Sequence, residues 1–428
     1  MILHTNTGDK KDMLEPAKIQ WTQWIDRWSG VLASPIEGQV RLGPNWFASV
    51  MGTGIISVAG AILPVKFPGL FVIASVAWIL AAILLVAMLV VIPAHWIRRC
   101  GTFKALMEDP IAIQFFGAPP MALMTVGTAT LLVGSQYVGQ SVAIAVDSVL
   151  WSAGTVLGLV TAVAVPYRMF TQLGVRNDAA FGGWLMPVVP PMVSAAGGAL
   201  MVPHAPVGAF RESLLLVCYS MFGMSLVVSL IIISLIWSRL AHFGSSGSAR
   251  VPTLWIVLGP IGQSITAAGG LGTVAATAVA GHLAPALDVF AVLFGVTMWG
   301  FMWLWLPIAA LLTIRARNKQ MGFALTWWSF TFPVGTCVTG TSQLALHTRL
   351  PMFQWTADAL FACLLATWVV VLIRTAKGAL QGGLLTPPLV SPQPVASKDG
   401  IENAALPVSR VPRPRERFEG TKMTIANL

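Results

Sequence analysis

The sequence predicts an all-α membrane protein with ten transmembrane helices, arranged as five helical hairpins whose odd-numbered helices form an inner ring around a central pore. Three observations predict this fold. The composition is strongly apolar, the apolar residues fall into ten segments of membrane-spanning length, and every second segment is interrupted at a regular interval. This regularity favours one repeated structural unit over ten unrelated helices.

The composition is that of a membrane protein. Of the 428 residues, 56% are hydrophobic and only 10% are charged, and the mean hydropathy is +0.77. Soluble domains carry about 25% charged residues, so we expect this chain to lie in a lipid bilayer. The formal net charge of +10 does not predict nucleic-acid binding, because the basic residues lie in short loops and tails between apolar runs.

Ten apolar segments are long enough to cross a membrane, which takes roughly 20 residues. Short loops join them in pairs, and this predicts helical hairpins. The segments cover residues 45–63, 68–93, 110–133, 142–165, 183–202, 209–237, 252–280, 286–313, 325–347 and 353–376.

The two ends of the chain differ from the membrane domain, which we assign to residues 41–378. Residues 1–40 are expected to be a cytoplasmic segment with one amphipathic interfacial helix, because tryptophans recur there on one helical face. A helix packed on the protein itself is the alternative. Residues 379–428 are rich in proline, serine and charge, which predicts a disordered cytoplasmic tail.

The basic residues predict the orientation. Loops that follow even-numbered segments hold ten lysines and arginines, whereas loops that follow odd-numbered segments hold three. Basic loops stay on the cytoplasmic side of a membrane. The sequence therefore predicts a multi-pass protein of the plasma (inner) membrane with both termini in the cytoplasm.

The odd-numbered segments share an interruption. Four prolines, one in each of segments 3, 5, 7 and 9, lie 71, 69 and 73 residues apart, and two glycines occupy the corresponding place in segment 1. Irregular backbone at membrane depth is tolerated where protein or a water-filled cavity satisfies it, so we expect these helices to share a pore axis. Kinks that serve packing alone are the alternative. The predicted kinks are Gly52, Gly54, Pro120, Pro191, Pro260 and Pro333.

The predicted pore is polar but uncharged, since the cores of the odd-numbered segments contain no Asp, Glu, Lys or Arg. Such a lining, with amide donors exposed where each interrupted helix restarts, suits a small inorganic or carboxylate anion. A cation pathway would more naturally carry rings of acidic residues. The pore-lining polar candidates are Thr53, Ser57, Gln114, Thr125, Ser194, Gln263, Ser264, Thr336 and Thr339.

Phe332 directly precedes Pro333 in the ninth segment, within WWSFTFPVGTCVTGTSQ. An aromatic ring at a kink on the pore axis can close a pore by steric plugging or by dewetting. We therefore predict that Phe332 is the pore gate. A ring that only packs between helices is the alternative.

The sequence does not indicate an enzyme. It contains no H-E-x-x-H motif, and its four cysteines form no C-x-x-C pair. We predict no catalytic residue, no metal site and no cofactor. The histidines His204, His282 and His347 fall near the predicted extracellular ends and are interpreted as exposed loop residues. A membrane sensor or scaffold that works through its tail remains an alternative of another class.

The motifs PNWFASVMGTGIIS, LGPIGQS and WWSFTFPVGT resemble the tellurite-resistance/dicarboxylate transporter family, over roughly residues 40–378. They look most like the sulfite efflux and malate permease branches of this family, which is related to the plant slow anion channel. The resemblance implies ten helices in five hairpins, a homotrimer with one pore per subunit, and occlusion of each pore by Phe332. It implies transport of small anions, with sulfite efflux as the first expectation. Transport of C4-dicarboxylates such as malate, or passive anion conduction, is the alternative.

Overall fold

A computed structural model describes residues 42–176, 178–245, 250–318, 321–381 and 384 of the chain. Over these residues the protein consists of helices and connecting loops, without a β-strand. This confirms the all-α fold for the described part of the chain. The amphipathic helix predicted within residues 1–40 and most of the predicted tail lie outside the described residues.

Ten principal helices of the described chain match the ten predicted segments. The even-numbered helices run longer than predicted, as α8 does at Leu283–Arg317 against the predicted 286–313. The bounds are α1 Phe47–Ile62, α2 Leu70–Arg98, α3 Ala118–Ala129, α4 Gln140–Thr171, α5 Pro190–Met201, α6 Ala209–Phe243, α7 Leu258–Val274, α8 Leu283–Arg317, α9 Phe332–Thr348 and α10 Pro351–Leu380.

Each odd-numbered helix is preceded by a 3-10 segment, and four of the prolines lie just after it. Pro191 and Pro333 are the second residues of α5 and α9, and Pro120 and Pro260 are the third residues of α3 and α7. A proline in the first turn lacks only an N–H that has no partner within the helix. The prolines therefore mark where these helices begin. The 3-10 segments are Pro44–Trp46, Ala112–Gly117, Gly182–Leu185, Val251–Val257 and Leu325–Phe330.

Odd- and even-numbered helices differ in burial. Within the described residues, eight helical stretches are long and apolar enough to cross a membrane, and the segments around α5 and α9 are helical but shorter. The odd-numbered stretches among the eight have 72–83% of their most apolar window buried, against 22–33% for the even-numbered ones. The even-numbered helices thus form an apolar outer surface, as expected of helices that face lipid.

The helices pack in a regular order. Each odd-numbered helix contacts the even-numbered helix that follows it, from α1 with α2 to α9 with α10. The odd-numbered helices also contact one another in sequence, α1 with α3, α3 with α5, α5 with α7 and α7 with α9, and α9 contacts α1.

Each even-numbered helix donates a hydrogen bond to an odd-numbered segment, and in four of the five helices an indole N–H group is such a donor. A tryptophan in this position buries its ring and satisfies its polar atom with one contact. In α6 a serine hydroxyl donates instead. The bonds are Trp78 Nε1 to Thr130 Oγ1 (2.9 Å), Trp151 Nε1 to Ser194 O (2.8 Å), Ser225 Oγ to Val188 O (2.7 Å), Trp305 Nε1 to Leu254 O (2.9 Å) and Trp368 Nε1 to Thr53 Oγ1 (3.2 Å).

Glycines let the odd-numbered helices approach closely. A Cβ on Gly262 of α7 would lie 2.5 Å from the carbonyl carbon of Thr336 in α9. A Cβ on Gly54 would lie 2.8 Å from Thr125 Cγ2, and one on Gly52 would collide with side chains of the segment before α9. Helix α1 runs unbroken through both of these glycines. Both positions therefore serve close packing within a continuous helix.

Candidate functional site

A cavity of about 230 Å³ lies among the odd-numbered helices. All five odd-numbered segments line it, mainly through their C-terminal halves, and no charged side chain is among the lining residues. Most of the lining is aliphatic. The polar lining residues are Thr125, Thr128, Gln263, Thr266, Thr273, Thr339 and Gln343.

A second, smaller cavity of about 30 Å³ lies at the other end of these helices. It is lined by the residues at which the odd-numbered helices begin, such as Ala48 of α1, Met121 of α3 and Gly259 of α7. The start of a helix carries the positive end of the helix dipole, although here the preceding 3-10 segments pair N–H groups of the first turns, as in Leu258 N–H to Trp255 O. This cavity is therefore surrounded by partial positive charge, although its lining also lacks a charged side chain.

Phe332 is part of the lining of both cavities. It is the first residue of α9, its exposed fraction is 4%, and among the described residues it alone borders both cavities. Pro260 and Pro333 line the smaller cavity beside it. The ring is therefore shared by the walls of the two cavities.

Only some of the predicted polar residues reach a cavity. Thr125, Gln263 and Thr339 line the larger one. The others are fully buried between helices, outside both cavities, as are two of the helix-starting prolines. Residues in this second group are Thr53, Ser57, Gln114, Ser194, Ser264, Thr336, Pro120 and Pro191.

The buried hydroxyls outside the cavities form hydrogen bonds within the helix packing, except for Ser57 Oγ, which has no hydrogen-bond partner in the described part of the chain. Ser264 Oγ donates to Ile261 O at 2.7 Å, and Thr336 Oγ1 donates to Pro333 O at 2.7 Å. Thr336 Oγ1 also lies 3.3 Å from the carbonyl oxygens of Leu258 and Gly259, across the α7–α9 contact. A hydroxyl in a dry helix contact needs such a partner, because an unpaired one would cost free energy.

Four cavity-lining residues lie outside the predicted set. Thr128, Thr266, Thr273 and Gln343 line the larger cavity together with predicted residues on the same helices. The sequence signal for them is helical spacing, because residues three, four or seven apart share one face. Thr266 and Thr273 follow the predicted Gln263 in this way, and Gln343 follows the predicted Thr339.

His347 is not an exposed loop residue, contrary to the interpretation of the sequence. It lies in the last turn of α9, and the exposed fraction of its side chain is 7%. Its Nδ1 is 2.8 Å from Asp288 Oδ1, and its Nε2 is 3.0 Å from Gly269 O and 3.1 Å from Thr273 Oγ1. The imidazole therefore adjoins a residue that lines the larger cavity.

Sequence comparisons agree with this architecture. Residues 41–376 match the family described as voltage-dependent anion channel. The sulfite efflux pump of Trichophyton rubrum is 28% identical over 78% of this chain and 89% of its own length. An uncharacterized transporter of Methanocaldococcus jannaschii is 26% identical over 79% of this chain and 94% of its own length. A proposed malic acid transport protein of Schizosaccharomyces pombe is 20% identical over 50% of this chain and 49% of its own length.

The family match covers most of the chain, including nine of the ten principal helices, most of α10, and Phe332. Its members are channels and transporters, which agrees with a cavity lined by helices and with an apolar outer surface. The chain therefore belongs to the voltage-dependent anion channel family, and it is a multi-pass membrane protein for anion transport.

Proposed function

We propose that this protein exports sulfite from the cytoplasm through a pore made of the two cavities, with Phe332 as the gate between them. The observation that carries the proposal is the uncharged cavity lined by all five odd-numbered segments, which shares Phe332 with the smaller cavity. The identity of sulfite as the first candidate rests on the similarity to sulfite efflux pumps.

The proposed pore has ten membrane crossings in five hairpins. Helices α5 and α9 have only 12 and 17 residues. With their flanking 3-10 turns they extend over residues 182–204 and 325–348, which is close to the roughly 20 residues of a membrane span. The contacts that run from α1 through each odd-numbered helix to α9 and back to α1 support an inner ring.

In the proposed orientation both termini are cytoplasmic, so the helix starts around the smaller cavity face the cytoplasm. Their N–H groups and dipoles would draw an anion toward Phe332 without a fixed positive charge. Binding of this kind is weak enough to release the ion again, which conduction requires. Past the gate, the threonine hydroxyls and glutamine amides of the larger cavity would replace part of the ion's hydration shell.

The remaining parts of the proposal concern assembly and location. We infer a homotrimer in the plasma membrane with one pore per subunit, which the family resemblance implies. Strongly exposed apolar residues on the even-numbered helices, such as Val163 and Leu293, would contact lipid or a neighbouring subunit. The transport proposed needs no catalytic residue, metal or cofactor.

Malate transport is the second candidate, favoured by the similarity to the proposed malic acid transport protein of Schizosaccharomyces pombe. That similarity covers only half of each chain, whereas the sulfite pumps match over more than three quarters of this one. A sensor or scaffold function would depend on the tail. Removal of residues 385–428 should abolish such a function and leave anion flux unchanged.

A flux assay tests the proposed function. Purified protein in proteoliposomes is compared with protein-free liposomes for movement of sulfite, malate and chloride, each with and without a pH gradient. We expect sulfite to move faster than malate. Faster malate transport would favour the second candidate, and the absence of flux for all three anions would refute the proposal.

A further inference from the structure

The end of the larger cavity opposite Phe332 contains a buried histidine in an unusual setting. The Nδ1 atom of His347 is paired with Asp288 of α8, and its Nε2 faces Gly269 O and Thr273 Oγ1 of α7. Thr273 lines the cavity, and so does Gln343, one helical turn before His347. The Gln343 Oε1 atom is buried and has no hydrogen-bond partner in the described part of the chain.

Two other basic groups near this end of the helices, Lys66 and Arg211, are engaged with backbone carbonyls. Lys66 Nζ donates to Ala61 O at 2.6 Å, at the end of α1, and burial lowers the pKa of its ammonium group. Arg211 Nη2 donates to Ala205 O at 2.6 Å, just after α5. His347 is therefore the basic side chain that the structure connects to the cavity wall.

The titratable surroundings of His347 are few. Helices α1 and α7, which pack against α9, contain no titratable side chain. Helix α8 supplies Asp288, which also acts electrostatically on the hydroxyl of Tyr219 in α6. The other titratable groups toward this end are Asp358 of α10, Arg349 directly after α9 and His282 directly before α8.

Protonation of His347 changes what Thr273 can offer to a ligand. When the imidazole is neutral and Nδ1–H donates to Asp288, Nε2 accepts the hydroxyl proton of Thr273. When the imidazole carries a second proton, Nε2–H donates to Gly269 O, and the Thr273 hydroxyl can no longer donate to Nε2. Its proton then turns to Gly269 O, at 3.0 Å, or to an acceptor in the cavity. The same proton therefore adds a positive charge and ends the hydrogen bond from Thr273 to the imidazole.

The Asp288 charge does not cancel this effect. The exposed fraction of the Asp288 side chain is 56%, against 7% for His347, so solvent screens the carboxylate more than the imidazolium. An anion in the cavity, on the side of Thr273 and Gln343, would meet the less screened positive charge.

We propose that this end of the cavity is a binding site for a small oxyanion, formed by Thr273 and Gln343, whose affinity is controlled by protonation of His347. The inference rests on the proposed function, because the ligand is the transported anion. In the proposed orientation the site faces the extracellular side. A low extracellular pH then strengthens anion binding at this end of the cavity, and a high extracellular pH favours release of the anion.

The test measures the external sulfite concentration that gives half-maximal exchange in proteoliposomes, from about pH 5 to about pH 8, where a histidine titrates. His347→Gln removes the charge at every pH. Asp288→Asn is the second variant, for the case that His347→Gln cannot be reconstituted. Asp288 is partly exposed, so we expect its replacement to leave the fold intact. His204→Gln, at an exposed histidine outside this cluster, is the matched control, and it experiences the same solution chemistry of sulfite.

We expect the wild type and His204→Gln to bind sulfite roughly tenfold more tightly at the acid end, and His347→Gln to bind equally weakly across the range. Asp288→Asn removes the partner of Nδ1 and should give a pH profile different from that of the wild type. If the half-maximal sulfite concentration follows the same pH profile in the wild type and in His347→Gln, the proposed binding site is refuted and the proposed function is not. Wild-type protein that moves none of sulfite, malate and chloride would instead refute the proposed function, and the site with it.

Discussion

The hydroxyl oxygens of Thr266 and Thr339 lie 2.6 Å apart and join α7 to α9 on the wall of the larger cavity. Each hydroxyl also has a backbone carbonyl within reach, Gly262 O at 3.0 Å for Thr266 and Thr336 O at 3.1 Å for Thr339. One hydroxyl can therefore donate to the other, which donates in turn to its own helix. The pair concentrates polarity on the side of the cavity formed by α7 and α9.

Thr266→Val should weaken the contact between α7 and α9, and it should lower the flux of the transported anion. The variant keeps the shape of the side chain and removes one hydroxyl, at a cost of about 1 kcal/mol in the free energy of unfolding. Thermal unfolding in detergent and sulfite flux in proteoliposomes measure the two effects. Thr297→Val is the control, since Thr297 is exposed on α8 and donates only to Leu293 O of its own helix. Equal effects of the two substitutions would contradict a role for the hydroxyl pair.

Phe332→Ala should increase anion flux by about an order of magnitude, which corresponds to a barrier lower by about 1.4 kcal/mol. The reason is that the phenyl ring fills the boundary between the two cavities, and alanine would let them join. The measurement is anion conductance or tracer flux at matched protein density.

Phe330→Ala is the matched control for the gate. Phe330 is also buried, and its ring packs edge-on against Trp255, but it lines neither cavity. We expect this variant to lose stability without a gain in flux. A flux increase in both variants would indicate general loosening of the segment, and unchanged flux in Phe332→Ala would exclude the gate.

The sequence predicts the helices of this protein well and its side-chain contacts poorly. Hydropathy and spacing of prolines locate the ten principal helices, because both properties are local in the chain. The proline pattern also identifies the odd-numbered segments, although Pro191 and Pro333 begin helices and do not kink them.

Contacts between distant helices are the part that the sequence does not determine. Asp288 and His347 belong to α8 and α9, and only the packing of those helices brings their side chains to 2.8 Å. Trp328 fits a membrane interface by its position in the sequence, yet it is 1% exposed and donates to Thr375 Oγ1 of α10. Which of the buried hydroxyls lines the cavity depends on how each helix is rotated about its own axis. The sequence of a short polar segment does not determine that rotation.

Gly262→Ala should separate α7 from α9 and destabilise the protein by about 1–3 kcal/mol, the usual cost of overpacking. The added Cβ would lie 2.5 Å and 2.6 Å from backbone atoms of Thr336 and Cys337, which cannot rotate away. Gly300→Ala in α8 is the control, because a Cβ there meets nothing within 4 Å. Thermal unfolding of both variants in the same detergent decides the comparison, and equal melting temperatures would contradict the close approach of α7 and α9.

The native cysteines allow a test of the proposed orientation. Cys100, after α2, is exposed, whereas Cys218 and Cys337 are buried. In a Cys363→Ser background we expect a membrane-impermeant thiol reagent to leave Cys100 unlabelled in intact cells and to label it in permeabilised cells. Val207, in the loop between α5 and α6, is 84% exposed, so Val207→Cys in a Cys100→Ser, Cys363→Ser background should be labelled in intact cells. The reverse pattern would place the helix starts, and the smaller cavity that they surround, on the outside.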